Sequence, residues 1–303
     1  MIVVTGASGV LGTALVAALS SSGEEVVGLT SADGDLRDAA AATAVFERLR
    51  PSVVFHTAGR VHGIMGNQKY PAEMFLDNIR ININVIDAAR RLDCRKVVGI
   101  STVAAYPAGL RLPIGEDEIW NGMPHGSEEF YAHAKRAMLA QLQSCHRQYG
   151  MDYAYAIMTN LYGPNDRFDI ENGHVIPSLV AKFHAASREK TAVNVWGTGV
   201  ARRDFLHADD AARALLTIGK AHSGLFNIAS GTTVPIGRVV EILSEVSGVA
   251  DVEWDRTKPD GQLDRSYDVT RIAQLGFEVH HTLETGLAET YEWYASRYPD
   301  VRL

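Results

Sequence analysis

The amino-terminal segment constrains the fold of this 303-residue chain more than any other stretch. A β-branched run at residues 2–5 leads into a loop with glycines at positions 6, 9 and 12, and an alanine-rich segment follows at residues 13–20. In a strand, glycine turn and helix of this order, the free N–H groups and the positive end of the helix dipole face an anion, and glycines let the backbone approach it closely. The segment therefore predicts a dinucleotide-binding unit with a pyrophosphate on the loop.

The rest of the first half repeats the alternation of strand and helix. Apolar runs at residues 25–30, 53–56 and 96–100 predict further strands, and residues 39–49 and 72–92 predict helices between them. Such alternation is typical of a parallel sheet with helices on both faces, whose ligands bind beyond the carboxyl ends of the strands. We therefore expect an α/β fold of the Rossmann type, a doubly wound parallel sheet with a smaller carboxy-terminal substrate-binding domain.

A shift in composition toward loops and helices predicts where the two domains divide. Residues 1–163 are expected to form the NAD(P)-binding domain and residues 164–303 the substrate-binding domain. A helix is predicted in the segment 204–219 with its cap near His207, and a strand predicted over 224–229 would rejoin the large sheet. The stretch 204–229 is therefore expected to return to the first domain.

The end of the second predicted strand bears on the choice of cofactor. An NAD enzyme usually places an acidic residue there to bind the adenosine ribose, whereas residues 29–32 read Leu-Thr-Ser-Ala. A 2′-phosphate is not repelled when that carboxylate is missing, which favours NADP. NAD stays possible because Asp33 is close and the first arginine is Arg37. We expect Asp35 and Leu36 over the adenine, with a solvated loop as the alternative.

Tyr131 and Lys135 are the candidate catalytic pair. Residues four apart on a helix lie on the same face, and an ammonium beside a phenol is expected to lower its pKa from about 10 and to make it a general acid or base. The spacing also arises by chance. It carries weight here because Thr102 follows the fourth predicted strand, where a hydroxyl donor would serve a hydride-transfer enzyme.

Composition argues against several other classes. The net charge is −7, and no basic run could neutralise nucleic-acid phosphates, so no nucleic-acid partner is expected. The two cysteines, Cys94 and Cys145, show no pairing or metal-binding pattern. The sequence shows no signal peptide and no membrane span. We expect a cytoplasmic enzyme that acts on a small molecule without a metal.

Several segments give the chain a family resemblance. The N-terminal glycine loop, Thr102 and the Tyr131/Lys135 pair resemble the extended short-chain dehydrogenase/reductases, and within them the chain is most similar to the GDP-L-fucose synthase family, which epimerises and reduces GDP-4-keto-6-deoxymannose. The segments that carry the closer likeness are residues 60–64 (Arg-Val-His-Gly-Ile), Tyr70-Pro71, 159–166 (Thr-Asn-Leu-Tyr-Gly-Pro-Asn-Asp), 173–177 (Gly-His-Val-Ile-Pro), 195–199 (Val-Trp-Gly-Thr-Gly), 203–207 (Arg-Asp-Phe-Leu-His) and 258–261 (Lys-Pro-Asp-Gly).

The resemblance implies a role for each matching residue. Thr102 would bind the sugar carbonyl, Tyr131 would protonate the C4 oxygen, Lys135 would bind the nicotinamide ribose, and His174 would be the acid/base group of epimerisation. The expected cofactor-binding residues are Gly6, Ser8, Gly9, Val10, Leu11, Gly12, Asp35, Leu36, Ala58, Lys135, Asn160 and Leu161. The expected substrate-binding residues are Thr102, Asn160, His174, Lys182, Trp196, Arg203 and Asp260. The helix pairing of the family implies a homodimer.

Departures from the family pattern shape the functional hypothesis. Ala104 occupies the place of the family's catalytic cysteine, so inversion beside the ketone should be disabled or confined to a route through His174 and water. His62, where the family commonly has glycine, is a candidate for part of that role. Ser8 replaces an arginine of the glycine loop, which weakens the case for NADP, and Met158 replaces a proline.

The sequence therefore predicts NAD(P)H-dependent reduction of the C4 ketone of a nucleotide-linked 4-keto-6-deoxy sugar, with a GDP-sugar as the first choice. The alternatives are a nucleotide-sugar epimerase that keeps NAD bound, a bifunctional epimerase/reductase, and a non-catalytic protein that senses NADP.

Overall fold

The computed structural model describes residues 1–171, 173–258 and 264–303. The prediction for Asp260 lies outside the described residues. The strands are β1 (Ile2–Thr5), β2 (Val26–Leu29), β3 (Val53–His56), β4 (Lys96–Thr102), β5 (Asp152–Met158), β6 (Asn160–Tyr162), β7 (Val193–Trp196), β8 (Arg202–His207), β9 (Gly224–Ile228), β10 (Thr233–Pro235) and β11 (Val252–Asp255). The helices are α1 (Val10–Ser21), α2 (Ala39–Leu49), α3 (Ile64–Lys69), α4 (Pro71–Arg91), α5 (Glu129–Tyr149), α6 (Val175–Glu189), α7 (Ala208–Ala221), α8 (Ile236–Ser247), α9 (Thr270–Ala273) and α10 (Leu283–Arg297), with short 3-10 helices at Val103–Ala105 and Glu116–Trp120.

A six-stranded sheet in the order β2-β1-β3-β4-β5-β9 forms the centre of the molecule, and every pair in it is parallel. The chain leaves β1 for β2 on one side and returns to β3 on the other, so the order reverses between β1 and β3. A crevice opens at such a switch point beyond the carboxyl ends of the strands. The predicted α/β fold of the Rossmann type is confirmed.

An apolar layer of helices covers each face of the sheet, and its strands are therefore buried on both faces. On one face, Phe46 of α2, Ile86 of α4 and Leu139 of α5 belong to a single buried cluster. On the other face, Leu15 of α1 and Leu215 of α7 belong to a second. The sheet is therefore held rigidly between helices, and its carboxyl edge is the place left for a ligand.

A third apolar cluster lies among the later elements and includes Val180 of α6, Leu243 of α8 and Leu287 of α10. Two small sheets accompany it, one in the order β10-β8-β6 and one pairing β11 with β7. Residues 224–228, by contrast, are β9 of the large sheet. The division at residues 163 and 164 stays a prediction.

The predicted helix cap near His207 is confirmed, since His207 is the N-cap of α7 and the helix begins at Ala208. The first part of the predicted segment, residues 204–207, belongs to β8 instead. Phe205 and Leu206 are buried, and β8 pairs with β6 on one side and β10 on the other. Strand β5 was not predicted.

None of the described helices is long and apolar enough to cross a membrane.

Candidate functional site

The glycine loop is held between β1 and the loop that follows β3. Gly6 has φ +70°, and a Cβ there would lie 2.8 Å from the backbone of Ala58. A Cβ on Gly12 would collide with the Gly6 carbonyl oxygen. The Thr5 hydroxyl accepts a hydrogen bond from the Ala58 N–H at 3.2 Å. These contacts explain two of the three glycines by packing within the protein, and they place Ala58 against the loop. The prediction that Ala58 binds the cofactor stays a prediction.

Gly9 is different, because the surrounding protein does not require a glycine there. Its φ of −83° and ψ of 168° suit any residue, and a Cβ would meet no atom closer than 3.5 Å. Gly9 precedes α1, whose first turn carries no acidic side chain and no side-chain cap. The first N–H groups of a helix have no partner within the helix, and those of Val10, Leu11 and Gly12 follow directly after Gly9. A dinucleotide pyrophosphate fits this cradle.

The other predicted adenosine contacts lie at the same edge of the sheet. Asp35 is paired with Arg37 at 2.8 Å, and that hydrogen bond lowers the pKa of the Asp35 carboxyl to about 2. The Leu36 carbonyl accepts from Asn84 at 3.0 Å, which anchors the loop to α4. Asp33 folds back on the end of β2 and accepts from the Thr30 N–H at 2.8 Å. A carboxylate is therefore present near the end of β2 although none stands in the strand itself.

Lys135 connects the ends of two central strands. Its Nζ donates to the Ile100 carbonyl of β4 at 2.9 Å and lies 3.6 Å from where a Cβ of Gly59, after β3, would be. The Tyr131 ring centroid is 5.7 Å from the same Nζ. Helix α5 thus presents Tyr131 and Lys135 on one face, as their spacing predicts, at the carboxyl edge of the sheet.

The expected lowering of the Tyr131 pKa is wrong for this structure. Tyr131 is 7% exposed, and burial, reinforced by the Glu128 carboxylate, raises the pKa of its phenol. Burial also lowers the pKa of Lys135 to about 8. The ammonium lies near the ring rather than pairing with the hydroxyl, so loss of water outweighs its field. Tyr131 is consequently a protonated acid throughout the physiological pH range.

Buried hydrogen bonds fix α5 against β4. The Tyr155 hydroxyl donates to the Lys135 carbonyl at 2.8 Å and accepts from the Ser101 hydroxyl at 2.6 Å. Arg136 donates to the Ala105 carbonyl at 2.8 Å and thereby holds the 3-10 turn that follows Thr102. Since these groups are buried, the spacing between Thr102 and the pair on α5 is set by the scaffold.

Thr102 ends β4 and its hydroxyl accepts from the Ala104 N–H at 3.2 Å, which leaves the hydroxyl proton available for another acceptor. Ala104 is 5% exposed. Cys94 precedes β4 at the opposite end, and burial raises the pKa of its thiol to about 11. Cys145 lies near the far end of α5. Neither thiol reaches the place of Ala104.

His174 is the N-cap residue of α6, without a side-chain capping bond. The His174 ring donates a hydrogen bond to the backbone of His62. His174 is exposed as a residue. Desolvation of its ring by neighbouring groups nevertheless lowers the pKa of His174. Arg167 approaches His62 Nδ1 at 3.3 Å. Burial and this guanidinium lower the pKa of His62 as well. Two imidazoles are thus adjacent and neutral near pH 7.

The predicted substrate residues form a second group on the later elements. Trp196 is 45% exposed at the end of β7. The Nζ of Lys182 lies 5.0 Å and that of Lys258 lies 5.4 Å from its ring centroid. Asn160 donates to the Asp204 carbonyl at 2.9 Å, and Leu161 packs on the large sheet's core. An exposed indole with two ammonium groups suits a nucleotide base beside phosphates.

Arg203 lies close to two residues that sequence reasoning missed, Glu128 and Arg265. Arg265 donates to the Val103 carbonyl at 3.3 Å. Burial lowers the pKa of Arg203, and the positive charge of Arg265 lowers it further. Burial raises the pKa of the Glu128 carboxyl. Two neighbouring arginines can bind a diphosphate. The sequence does not reveal this pair, because Arg203 and Arg265 are far apart in it and come together only in the fold.

One further polar cluster was not predicted. His207, Asp209 and His281 each place a possible ligand atom within 4.8 Å of the others. The two imidazoles stack at 4.1 Å between ring centroids and 28° between planes, so their lone pairs run side by side instead of converging. This geometry disfavours a shared metal ion.

Known proteins with similar sequences and structures share the fold described above. The chain matches the NAD dependent epimerase/dehydratase family over residues 2–229. It is 38% identical to the probable GDP-L-fucose synthase 1 of Oryza sativa subsp. japonica, covering 96% of this chain and 90% of the relative. A GDP-L-fucose synthetase from Naegleria fowleri bound to NADP superposes with a TM-score of 0.92 at 29% identity, covering 100% of this chain and 94% of that one.

A GDP-mannoheptose C4 reductase from Campylobacter jejuni with NADP bound is also similar, with a TM-score of 0.86 and 27% identity over 97% of each chain. The resemblance to extended short-chain dehydrogenase/reductases and to GDP-L-fucose synthases is confirmed by these matches. Because the family match covers about three quarters of the sequence, the chain belongs to the NAD dependent epimerase/dehydratase family.

Proposed function

We propose that this chain is an NADP-dependent enzyme that reduces the C4 ketone of a nucleotide-linked 4-keto-6-deoxy sugar, with a GDP-sugar as the first candidate. The observation that carries the proposal is the position of the Tyr131 phenol beside Lys135 at the carboxyl edge of the sheet, with Ala104 where a thiol would be needed for inversion. Related proteins named for GDP-L-fucose synthesis and for C4 reduction of a GDP-heptose support it.

The cofactor would lie across the edge of the sheet from the glycine loop to Lys135. Gly9 and the first turn of α1 would hold the pyrophosphate, and Lys135 would bind the ribose on the nicotinamide side. The nicotinamide, when bound, supplies the hydride for C4. Two solved relatives that carry NADP support the choice of this cofactor.

Tyr131 would donate its proton to the sugar C4 oxygen as negative charge develops there. Because its pKa is raised, the phenol is fully protonated before the reaction. The nearby Lys135 ammonium would stabilise the phenolate left behind. The Thr102 hydroxyl would donate a hydrogen bond to the same oxygen and orient the ketone.

The substrate nucleotide would lie over β7 and β8. Trp196 is exposed for stacking on the base, and Arg203, with Arg265 beside it, would bind the diphosphate in the forked manner that guanidinium groups favour. The buried hydrogen bonds of Tyr155 and Arg136 hold Thr102 at a set distance from Tyr131 and Lys135 at the sugar end of this site.

Inversion beside the ketone needs a base on one face of the ring and an acid on the other. Ala104 cannot move a proton, so the two-centre epimerisation performed with a thiol is expected to be lost. His174 is neutral near pH 7 and can accept a proton, and His62 beside it is a second neutral imidazole. We therefore propose that proton exchange survives at one carbon only.

Oxidation of NADPH with GDP-4-keto-6-deoxymannose tests the reduction. The wild type should consume NADPH in proportion to sugar added, and Tyr131→Phe, which keeps the ring, should be slower by roughly 10²- to 10⁴-fold. A wild type that leaves NADPH unchanged with this and other 4-keto nucleotide sugars would refute the proposal, as would a Tyr131→Phe enzyme with the full rate.

Exchange in D₂O without NADPH tests the remaining epimerase chemistry separately. We expect deuterium at a single carbon beside the ketone, and its disappearance in His174→Gln with little change in reduction rate. If no deuterium enters in the wild type, the protein only reduces.

We also propose a homodimer. Helix α4 leaves Leu76 and Ile83 about half exposed, at 44% and 48%, and residues seven apart lie on nearly the same helix face. An apolar stripe of this kind on a long helix is suited to pairing with a second copy.

A further inference from the structure

The carboxy-terminal segment runs back across the molecule to the glycine loop. After α10 the chain continues to Arg302, whose carbonyl accepts from the Phe168 N–H at 2.8 Å. The Phe168 ring lies 5.9 Å from that of Trp293 and 4.6 Å from that of Tyr294, both on α10. Backbone and aromatic contacts thus fix the position of Arg302, although its side chain is exposed.

The Arg302 guanidinium lies at the second glycine of the loop. Its Nη1 is 3.5 Å from where a Cβ of Gly9 would stand. A cavity of about 290 Å³ opens beside it, lined by Ser8, Asn165, Trp293, Arg297, Asp300 and Arg302. Gly9 is the glycine that packing does not explain, so the guanidinium flanks the space that the loop leaves for a phosphate.

Arg297 and Arg302 share this corner with one lining carboxylate, that of Asp300. Among the described residues, neither Arg297 nor Arg302 forms an ion pair within 4 Å. Asp166 is close enough for Arg302 to act on it, but burial raises the pKa of its carboxyl to about 7, and one of its oxygens has no hydrogen-bond partner. An anion entering the cavity would therefore meet an available guanidinium.

The loop and the end of β2 lack a cation of their own. Position 8 is serine, residues 29–32 contain no basic side chain, and the Asp33 carboxylate is turned onto the end of β2. Arg37 is occupied by Asp35 at 2.8 Å and lies 3.6 Å from Asp77. A dinucleotide phosphate at the loop would need its positive charge from another part of the chain.

We propose that Arg302 is a phosphate-binding residue of the dinucleotide site, carried to the glycine loop by the carboxy-terminal segment. The inference rests on the proposed function, in that it takes a nicotinamide dinucleotide as the ligand of the loop. Arg302 binds either the pyrophosphate, which NADPH and NADH share, or the 2′-phosphate, which only NADPH carries.

Equilibrium titration of the substrate-free protein with NADPH and with NADH tests the proposal without depending on turnover. Arg302→Gln should weaken NADPH binding by about tenfold, the usual scale of one charge-assisted hydrogen bond. Arg302→Lys should recover part of this loss because it keeps the charge. Arg147→Gln, at the exposed end of α5, is the matched control and should bind like the wild type.

Each result has one meaning. An equal loss for both cofactors assigns Arg302 to the pyrophosphate, and a loss for NADPH alone assigns it to the 2′-phosphate. Unchanged NADPH affinity in Arg302→Gln overturns the inference while leaving the proposed reaction standing. A wild type that binds neither dinucleotide overturns both. Binding that depends on Arg302 in a protein unable to oxidise NADPH overturns only the proposed reaction.

Discussion

Two lysines buried at opposite ends of β4 allow the energetic role of Lys135 to be separated from its chemical one. Lys135 is 3% exposed and Lys96 is 1% exposed. Burial lowers the pKa of each from 10.5 to about 8. Lys135 donates to the Ile100 carbonyl at the proposed site, whereas Lys96 donates to carbonyls of Ile218 and His222 near the end of α7.

The size and sign of the effect follow from these shifts. A drop from 10.5 to about 8 corresponds to about 3 kcal/mol, since one pKa unit is worth about 1.4 kcal/mol. Because the folded pKa is the lower one, the unfolded chain holds the extra proton in the window between the two values. The penalty is therefore fully present below pH 8 and fades as the pH rises toward 10.5.

We predict that Lys135→Met, which keeps an unbranched side chain, removes this penalty. The lost hydrogen bond to Ile100 costs about 1 kcal/mol at any pH, so the pH dependence isolates the charge. Between pH 7 and pH 10 the stability of the variant relative to wild type should fall by about 2.5 kcal/mol, which for a chain of this size is about 4 °C in Tm. Thermal unfolding of both proteins at the two pH values measures it.

Lys96→Met is the matched control. It should show the same pH dependence of stability and retain NADPH oxidation, while Lys135→Met should lose most of that activity. A difference in Tm between Lys135→Met and wild type that does not change with pH would contradict the reasoning, because the ammonium would then not be desolvated.

The remaining predictions concern the loop, the nucleotide and the dimer. Gly9→Ala should fold normally and bind NADPH at least tenfold more weakly, which equilibrium titration would measure. Gly12→Ala should instead lower Tm, because its Cβ collides with the Gly6 carbonyl, and thermal unfolding would detect this. Trp196→Ala should raise the KM for the nucleotide sugar by roughly tenfold or more with little change in kcat, the scale of one base stacked on an indole. Ile83→Asp should convert a dimer into a monomer, which light scattering would detect, and an unchanged mass would place the interface elsewhere.

Local patterns gave the order and type of elements in the first half. The glycine loop, the β-branched runs and the helix over residues 39–49 are read from neighbouring residues, and the structure has them within a few positions. Parallel pairing and the carboxyl edge follow from strands and helices that alternate. The placement of Tyr131 and Lys135 on one face likewise needs only the helical period.

Long-range contacts decided what local patterns missed. The segment 204–219 predicts a helix with its cap near His207, but residues 204–207 form a strand because they pair with β6 and β10. The buried Asp204 carboxylate also accepts from the N–H groups of Ser230 and Gly231 at 2.9 Å. Arg302 reaches Gly9 from the other end of the chain. The direction of the shift in the Tyr131 pKa depends on how much water the fold removes from the phenol. The spacing of residues on a helix does not reveal this.

We expect this chain to reduce the C4 ketone without inverting the two carbons beside it. NMR of the product formed from GDP-4-keto-6-deoxymannose and NADPH in D₂O distinguishes reduction alone from reduction with epimerisation. Hydrogen from the cofactor should appear at C4, and solvent deuterium at no more than one of the two neighbouring carbons. Deuterium at both of these carbons, with both inverted, would show that the full epimerisation survives.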